Sequence, residues 1–174
     1  HVRRSIKPYF LRRRILDVIE QFPNKLVSEV WLDLNGTQRL AYDDLLNQGK
    51  SEISRPGTTR IHIFALINKL KQICNIEPTS GESCKADYLL DQLGEVVEGG
   101  YKALVFSQFP KKTLVTIKSK LEKYDPVIFH GGLTSRQRNK ILDDFQEQET
   151  PKILLASIKA AGIGLNLQRA NHVF

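Results

Sequence analysis

Several features common in other protein classes are missing from this chain of 174 residues. It has two cysteines, Cys74 and Cys84, which lie ten positions apart without a CxxC pair, so the sequence predicts free thiols and neither a disulfide nor a metal site. No window approaches the roughly eighteen consecutive apolar residues of a membrane span. The basic opening segment also lacks the apolar core of a signal peptide. We therefore expect a protein of a reducing compartment with no membrane partner.

The sequence also lacks the motifs that hold a nucleotide or carry out covalent catalysis. It contains no GxxxxGK[ST] phosphate loop, and no Asp-Glu pair ends a predicted strand to hold Mg²⁺. The segment Gly162-Ile163-Gly164 is at most half of a dinucleotide fingerprint, because the third glycine is missing. There is no Ser-His-Asp or Cys-His combination either. The chain alone is therefore expected to hold no catalytic residue, no metal site and no complete nucleoside-triphosphatase site.

Methionine is absent, and the chain begins at His1. Its last residues, 172–174, read as the start of another strand that stops after three positions. We expect this chain to be a piece of a longer protein, with methionines lost from the sequence as a second explanation.

The charge balance favours a polyanionic partner. Lys and Arg number 26 against 19 Asp and Glu, which gives a formal net charge of +7. Residues 1–16 hold six of these cations and no acidic residue. Basic surfaces of this kind attract nucleic acid, but a solvated basic surface has the same composition. The charge by itself leaves both interpretations open.

Hydrophobic periodicity divides the chain into two parts. Residues 1–82 read as a mostly helical segment with one strand. Its predicted elements are a strand at 25–34, a helix at 37–47, a loop at 49–59, a helix from 59 and a loop at 78–83.

Residues 83–174 alternate between helices and short apolar strands. This alternation predicts an α/β fold, in which a parallel sheet is covered by helices on both faces. The predicted strands lie at 102–107, 127–129, 153–156 and from 172, and the helices at 85–97, 110–123 and 134–147.

Polar or glycine residues follow three of these strands, and ligands of parallel sheets bind at the carboxyl ends of the strands. Ser107 and Gln108 follow the first strand, where they either hold a phosphate or cap the turn before Pro110. The stretch Ser157–Gly164 follows the third strand and has Lys159 in its middle. Glycines here let backbone N–H groups approach a phosphate or a sugar.

The second strand runs into His130-Gly131-Gly132, ahead of a helix that Thr134 is expected to cap. A helix N-terminus with glycines before it is a ready anion site. Arg136 and Arg138 lie in the first turns, where the helix dipole disfavours cations, so they indicate an external anion or an acidic neighbour. Each strand end is a weak signal alone, and the three together are much more specific.

Together these segments resemble motifs IV, IVa and V of the Swi/Snf-type ATPases, superfamily-two helicase-like motors that translocate on double-stranded DNA. The matching segments are Lys102–Phe109 (KALVFSQF), His130–Gly132 with Arg138 and Phe145, and Ser157–Leu167 (SIKAAGIGLNL). Further matches upstream are Phe10–Arg13 with Asp17, Val18 and Pro23–Lys25, then Gln38 and Tyr42, Gln72–Asn75 with Pro78, and Ser83–Lys85. The departures are Arg14 and Ile15 after the paired arginines, Ile76 in place of a histidine, and Ala161 in place of the first glycine of motif V.

The resemblance implies a second RecA-like lobe at 83–174, preceded by a family-specific helical segment at 1–82. The phosphate loop would belong to a first lobe, and motif VI with its finger arginines would lie beyond Phe174. ATP and Mg²⁺ would be held mainly by that first lobe, so the parent protein would hydrolyse ATP and the chain alone would be inactive. The residues implied at the DNA path are Ser107, Gln108, His130, Gly131, Gly132, Arg136, Ser157 and Lys159, and those at the interlobe ATP edge are Gly162, Gly164 and Asn166.

The partners implied are double-stranded DNA, the first RecA-like lobe of the same protein and a nucleoprotein substrate. Such a motor would work in the cytoplasm of a bacterium or archaeon, or in a eukaryotic nucleus. A stand-alone nucleic-acid-binding module also explains the charge, though not the interrupted sheet. An RNA helicase lobe shares the strand-end chemistry but not the Leu-Arg-Arg and Ile-Cys-Asn segments, and a nicotinamide-binding enzyme fits least.

Overall fold

The computed structural model describes residues 26–162 and 165–174. The chain divides into two units, His1–Trp31 and Leu32–Phe174. The matches to the Swi/Snf pattern between Phe10 and Lys25, and the predicted site residue Gly164, lie outside the described residues.

Helices and short strands alternate from residue 84 onward, as the periodicity predicts. The helices are α1 (Gly36–Ile53), α2 (Arg60–Asn75), α3 (Cys84–Glu98), α4 (Val115–Lys120), α5 (Ser135–Glu147) and α6 (Ile158–Ala161). The strands are β1 (Ala103–Ser107), β2 (Val127–Phe129), β3 (Ile153–Ser157) and β4 (His172–Val173). A π-helical turn, Pro110–Leu114, precedes α4, and a 3-10 turn, Glu122–Tyr124, follows it. Among the helices of the described residues, none is long and apolar enough to cross a membrane.

The four strands form one parallel sheet in the order β2-β3-β1-β4. The two central strands, β1 and β3, pair over their whole length, from Ala103 opposite Ile153 to Ser107 opposite Ser157. All five residues of β3 are buried, as expected for a central strand covered on both sides.

Alternate residues of the strands face two separate cores, which confirms the prediction of a sheet with helices on both faces. On one face, Val105 and Leu155 pack with α3 and α4. On the other face, Leu154 and Ala156 pack with Phe145 of α5. Phe145 and both central leucines are fully buried. This packing is that of an α/β sheet covered on both faces, as the resemblance to a RecA-like lobe implies.

Two sequence predictions about the helical segment are wrong. The described residues 26–35 form no strand. Residues that favour strands, such as Val27 and Trp31, form one only when a second strand pairs with them, and these two residues have no such pairing among the described residues. The predicted loop at 49–59 begins later, since α1 continues to Ile53. Gly49 belongs to the helix because α1 lies close to α2 there: a Cβ on Gly49 would fall 2.3 Å from the side chain of Leu66.

A buried amide joins the helical segment to the sheet domain. Gln38, in the first turn of α1, is completely buried. Its Nε2 donates to the Ile73 carbonyl at 2.7 Å, and its Oε1 accepts from the Cys84 backbone N–H at 2.9 Å. Beside it, the buried Ser83 hydroxyl donates to the Asn75 carbonyl. One side chain therefore satisfies backbone groups at the end of α2 and at the start of α3.

A buried cation ties β1 to the end of α5. The Lys102 ammonium donates to the carbonyls of Phe145 and Gln148, at 2.6 and 2.5 Å, and lies 5.0 Å from the centre of the Phe145 ring. Carbonyl groups at a helix C-terminus attract a cation. Burial lowers the pKa of Lys102, and the nearby Arg169 lowers it further. Lys102 therefore holds the edge of the sheet opposite the strand ends, away from the candidate site.

The buried amide gives a direct stability test. Replacing Gln38 by Leu leaves the Cys84 N–H and the Ile73 carbonyl without their partner, so we expect the free energy of unfolding to fall by about 2–4 kcal/mol. Gln48, which is exposed on the same helix, provides the control Gln48→Leu, for which we expect a change within about 0.5 kcal/mol. Denaturant unfolding measures both, and equal midpoints for the two variants would contradict the role given to Gln38.

Candidate nucleic-acid interface

The sheet brings the three predicted strand ends to one edge. Ser107 and Ser157 are the last residues of β1 and β3, and they lie opposite each other on adjacent strands, about 4.8 Å apart across the ladder. On the other side of β3, Phe129 pairs with Ala156, so that His130 follows β2 beside Ser157. The carboxyl ends of parallel strands are where such sheets bind ligands.

Two grooves meet along this edge. The larger, of about 660 Å³, contains His130, Gly131 and Gly132 in its wall. The smaller, of about 410 Å³, contains Gln108 and reaches across to α2 and the segment after it. Four residues line both grooves and so mark the point where they join. They are Pro110, Lys111, Ser157 and Lys159.

The grooves carry positive charge. Their lining includes four basic side chains, Lys111, Lys112, Arg138 and Lys159. Among the described residues that line them, none is acidic. A cleft lined by one sign of charge attracts ligands of the opposite sign. The arrangement therefore suits an extended polyanion better than a neutral small molecule.

The glycine turn after β2 is fixed by local hydrogen bonds. The backbone N–H of Gly132 donates to His130 Nδ1 at 3.0 Å, which leaves the ring proton on Nε2 as a donor. A Cβ on Gly132 would fall 3.1 Å from that ring, so glycine lets the imidazole fold over the turn. Arg138 Nη2 donates to the Gly131 carbonyl at 2.7 Å. Arg138, which lies in the second turn of helix α5, thus stabilises the glycine segment that follows β2.

The N-terminus of α5 has fewer free donors than the sequence suggests. Thr134 and Gln137 form a capping box, in which Thr134 Oγ1 accepts from the Gln137 N–H at 3.3 Å and Gln137 Oε1 accepts from the Thr134 N–H at 2.9 Å. The Gly132 N–H is also taken, by His130. An anion at this turn would therefore be held mainly by side-chain cations of the groove. Arg138 has a buried Nε with no hydrogen-bond partner among the described residues.

Ser107 and Gln108 differ in how they face the edge. The Ser107 hydroxyl is buried and accepts from the Phe109 N–H at 3.1 Å, so it caps the turn after β1. It lines a side cavity of about 310 Å³ together with Lys71 and Lys85. Gln108 is exposed and lines both this cavity and the smaller groove. The amide, more than the hydroxyl, is available to a ligand.

The remaining predicted residues lie away from the grooves. Arg136 is exposed on α5 and lines neither groove. Gly162 directly follows α6, and a Cβ there would fall 2.5 Å from the Ile158 carbonyl oxygen. A side chain at this position would therefore clash with the backbone of α6. Asn166 is exposed, and its carbonyl accepts from Gln146 Nε2 at 2.9 Å.

Sequence reasoning missed several lining residues. Lys111 and Lys112 directly follow Pro110 at the start of a predicted helix. This position, about one helical turn beyond the end of β1, could have indicated that they belong to the site. Arg138 is predicted as an unusual cation near the start of α5, but it is not among the predicted site residues. The wall formed by Gln72, Ile76 and Pro78 had no such signal, because only the packing of α2 beside the sheet brings it to the groove.

The connector from α2 to α3 that carries this wall is held by a carboxylate. Glu77 Oε2 accepts from the Thr79 N–H at 2.8 Å and also from the Ser80 N–H. The hydrogen bond from Ser80 is the largest cause that lowers the pKa of Glu77 below its usual range. The carboxylate is therefore ionised at neutral pH and keeps Pro78 at the groove.

Comparison with known proteins agrees with this architecture. Residues 84–174 match the family described as the helicase conserved C-terminal domain. The chain is 30% identical over 182 residues to an uncharacterized ATP-dependent helicase of Mycoplasma genitalium, which covers 98% of this chain and 17% of that protein. It is 32% identical over 185 residues to the putative ATP-dependent helicase/translocase YwqA of Bacillus subtilis, covering 97% of this chain and 20% of that protein.

A solved structure is similar over nearly the whole chain. The Sulfolobus solfataricus SWI2/SNF2 ATPase core in complex with dsDNA superposes with a TM-score of 0.76 at 27% identity, over 99% of this chain and 39% of that one. The C-terminal domain of the Sulfolobus solfataricus SWI2/SNF2 ATPase gives a TM-score of 0.69 at 28% identity, over 78% of this chain and 64% of that one.

The chain belongs to the helicase C-terminal domain family and is a second RecA-like lobe of the Swi/Snf type. It spans about a fifth of the length of the curated relatives described above.

Two glycines of the site give a matched test of why each is glycine. A Cβ at Gly162 meets a backbone carbonyl at 2.5 Å, whereas a Cβ at Gly131 has no atom within 4 Å. We expect Gly162→Ala to lower the free energy of unfolding by about 1–3 kcal/mol, because α6 must shift. Gly131→Ala should change it by less than about 0.5 kcal/mol. Thermal or denaturant unfolding measures both, and a neutral Gly162→Ala would refute the steric explanation.

Proposed function

We propose that this chain supplies the DNA-backbone contacts, and one edge of the interlobe ATP site, of a DNA-dependent ATPase that translocates on double-stranded DNA. The contacts would come from Gln108, His130, Gly131, Ser157 and Lys159. Ser107, Gly132 and Arg136, also expected at the DNA path, would act by supporting the strand ends or by adding positive charge nearby.

The observation that carries the proposal is the continuity of the two grooves. Lys159 and the buried Ser157 line both of them. A ligand that lies along the sheet edge and occupies both grooves would therefore be close to Lys159 in each of them. A duplex backbone presents one negative charge after another at regular spacing. A row of lysines and glycine-bearing strand ends fits such a ligand, because it offers charge and close approach without reading base edges.

The named relatives support the same function. Two are called ATP-dependent helicases, one of them also a translocase, and a similar solved structure is an ATPase core in complex with dsDNA. Because the chain spans only about a fifth of those relatives, the ATPase activity belongs to our proposal for the parent protein. That protein would bring a first RecA-like lobe as the partner of this one, and a nucleoprotein would be its substrate.

On the nucleotide side, the proposal assigns Gly162, Gly164 and Asn166 to the edge that faces the first lobe. ATP and Mg²⁺ would be held mainly by that lobe. The exposed positions of Gly162 and Asn166 are compatible with such an edge. We also propose that the boundary near residues 82 and 83 separates the helical segment from the lobe, in line with the family match that begins at residue 84.

Duplex binding by the purified chain tests the proposal. We expect sequence-independent binding whose log-affinity falls linearly with log salt concentration, because phosphate contacts release counterions. Lys159→Ala should make that slope shallower by about one unit. The control is Lys140→Ala, an exposed lysine of α5 that lines neither groove, and its slope should equal that of the unchanged chain.

Three results would overturn this assignment. They are strong preference for one duplex sequence among several of equal length, tighter binding to double-stranded RNA than to DNA, and an unchanged slope for Lys159→Ala. The second result would favour the RNA helicase alternative.

A separate prediction concerns catalysis. We expect the chain alone to hydrolyse no ATP above background, with or without duplex DNA, because its sequence has no phosphate loop and no Asp-Glu pair at the end of a predicted strand to hold Mg²⁺. A phosphate-release assay at high protein concentration measures this. DNA-stimulated turnover that survives further purification would mean that a different active site exists.

A further inference from the structure

The chain leaves β1 through a distorted turn. Pro110–Leu114 forms a π-helical turn, and regular α-helix begins only at Val115. Thr113 and Leu114 are buried in this turn, Leu114 completely. Lys111 and Lys112 are exposed on its other side. Single π-turns occur frequently at functional sites.

The two lysines of this turn lie at or near the point where the two grooves join. Lys111 lines both grooves, and Lys112 lines the smaller one. Lys159, from the segment after β3, is the other basic residue that lines both. Two cations that follow different strand ends, together with Ser157 at the end of β3, therefore line the point where the two grooves join.

Such an arrangement is unfavourable in the absence of an anion. Like charges that share a cleft repel each other, and the described residues that line these grooves include no carboxylate to offset them. Within the described residues, Lys111 and Lys159 form no ion pair. By contrast, Lys120 on the following helix pairs with Asp87 at 3.2 Å. An external anion at the junction would offset the repulsion between Lys111 and Lys159, as Asp87 offsets the charge of Lys120.

We propose that Lys111 is a phosphate-binding residue that, together with Lys159, holds one phosphodiester of the DNA backbone at the junction of the two grooves. The inference rests on the proposed function and adds to it a contact that comes from the turn after β1. Pro110 has no backbone N–H that could donate to the phosphate. The contact from this turn would therefore come from the side chain of Lys111. Lys112 lies farther along the smaller groove and would contact a neighbouring phosphate.

The test uses duplex binding by the whole chain. Lys111→Gln removes the charge and keeps a side chain of similar reach. We expect binding to weaken roughly five- to tenfold at about 0.1 M salt, and the salt slope to become shallower by about one unit. Lys111→Arg should restore most of both. The control is Lys118→Gln, an exposed lysine of α4 that lines neither groove, for which both quantities should stay unchanged.

A modified duplex identifies the phosphate contact itself. Duplexes that carry one neutral methylphosphonate are scanned position by position with the unchanged chain. The position that weakens binding most should cause a smaller loss in Lys111→Gln than in the unchanged chain, because only the Lys159 contact to that phosphate remains. Additive losses at every position would overturn the assignment of Lys111.

The outcomes separate this inference from the proposed function. If Lys159→Ala loses one unit of salt slope and Lys111→Gln loses none, the function stands and the assignment of Lys111 is wrong. If the unchanged chain binds no duplex, both fail. Titration with ATP distinguishes the second source of phosphate: a loss of ATP affinity in Lys111→Gln with duplex affinity unchanged would assign the residue to the nucleotide and overturn the proposal.

Discussion

The in-register parallel pairing of β1 with β3 determines almost every other feature of the site. It brings Ser107 opposite Ser157, so that both strands end at the same level of the sheet. A slip of one residue would turn each strand's buried side chains toward the wrong core. Because two different cores cover the two faces, that slip is costly on both sides. The level sheet edge therefore follows from the hydrophobic packing of β1 and β3, in which Ser107 and Ser157 occupy only the last positions.

Polar groups in the interior attach the outer elements to this sheet. The Gln38 amide closes the ends of α2 and α3, and through them positions the wall of the smaller groove. The Lys102 ammonium holds the C-terminus of α5, while Arg138 near the other end of that helix holds the glycine turn. The Gln38 and Lys102 contacts satisfy backbone groups at helix ends, and the Arg138 contact holds a carbonyl of the exposed glycine turn. These side chains act on the site by positioning it.

The sequence predicted the elements of the lobe well because their signals are local. Thr134 was recognisable as the cap of α5, and the apolar runs of β1 and β3 were recognisable as buried strands. What failed depended on tertiary contacts. The predicted strand at 25–34 needed a partner that is absent from the described residues 26–35, and Gly49 looked like a loop residue because the closeness of Leu66 is invisible in a single sequence.

The candidate site divides in the same way. Residues directly at strand ends, such as Lys159, were accessible to sequence reasoning, whereas Lys111 depends on a π-helical turn that no simple periodicity reveals.

The most direct measurement of the whole account is the mapping of backbone amide NMR shifts during titration with a short DNA duplex. We predict that the largest changes fall at residues 108–112, 130–132 and 157–159. Changes concentrated on the exposed face of α1 and α2 instead, with these three segments unaffected, would contradict the account.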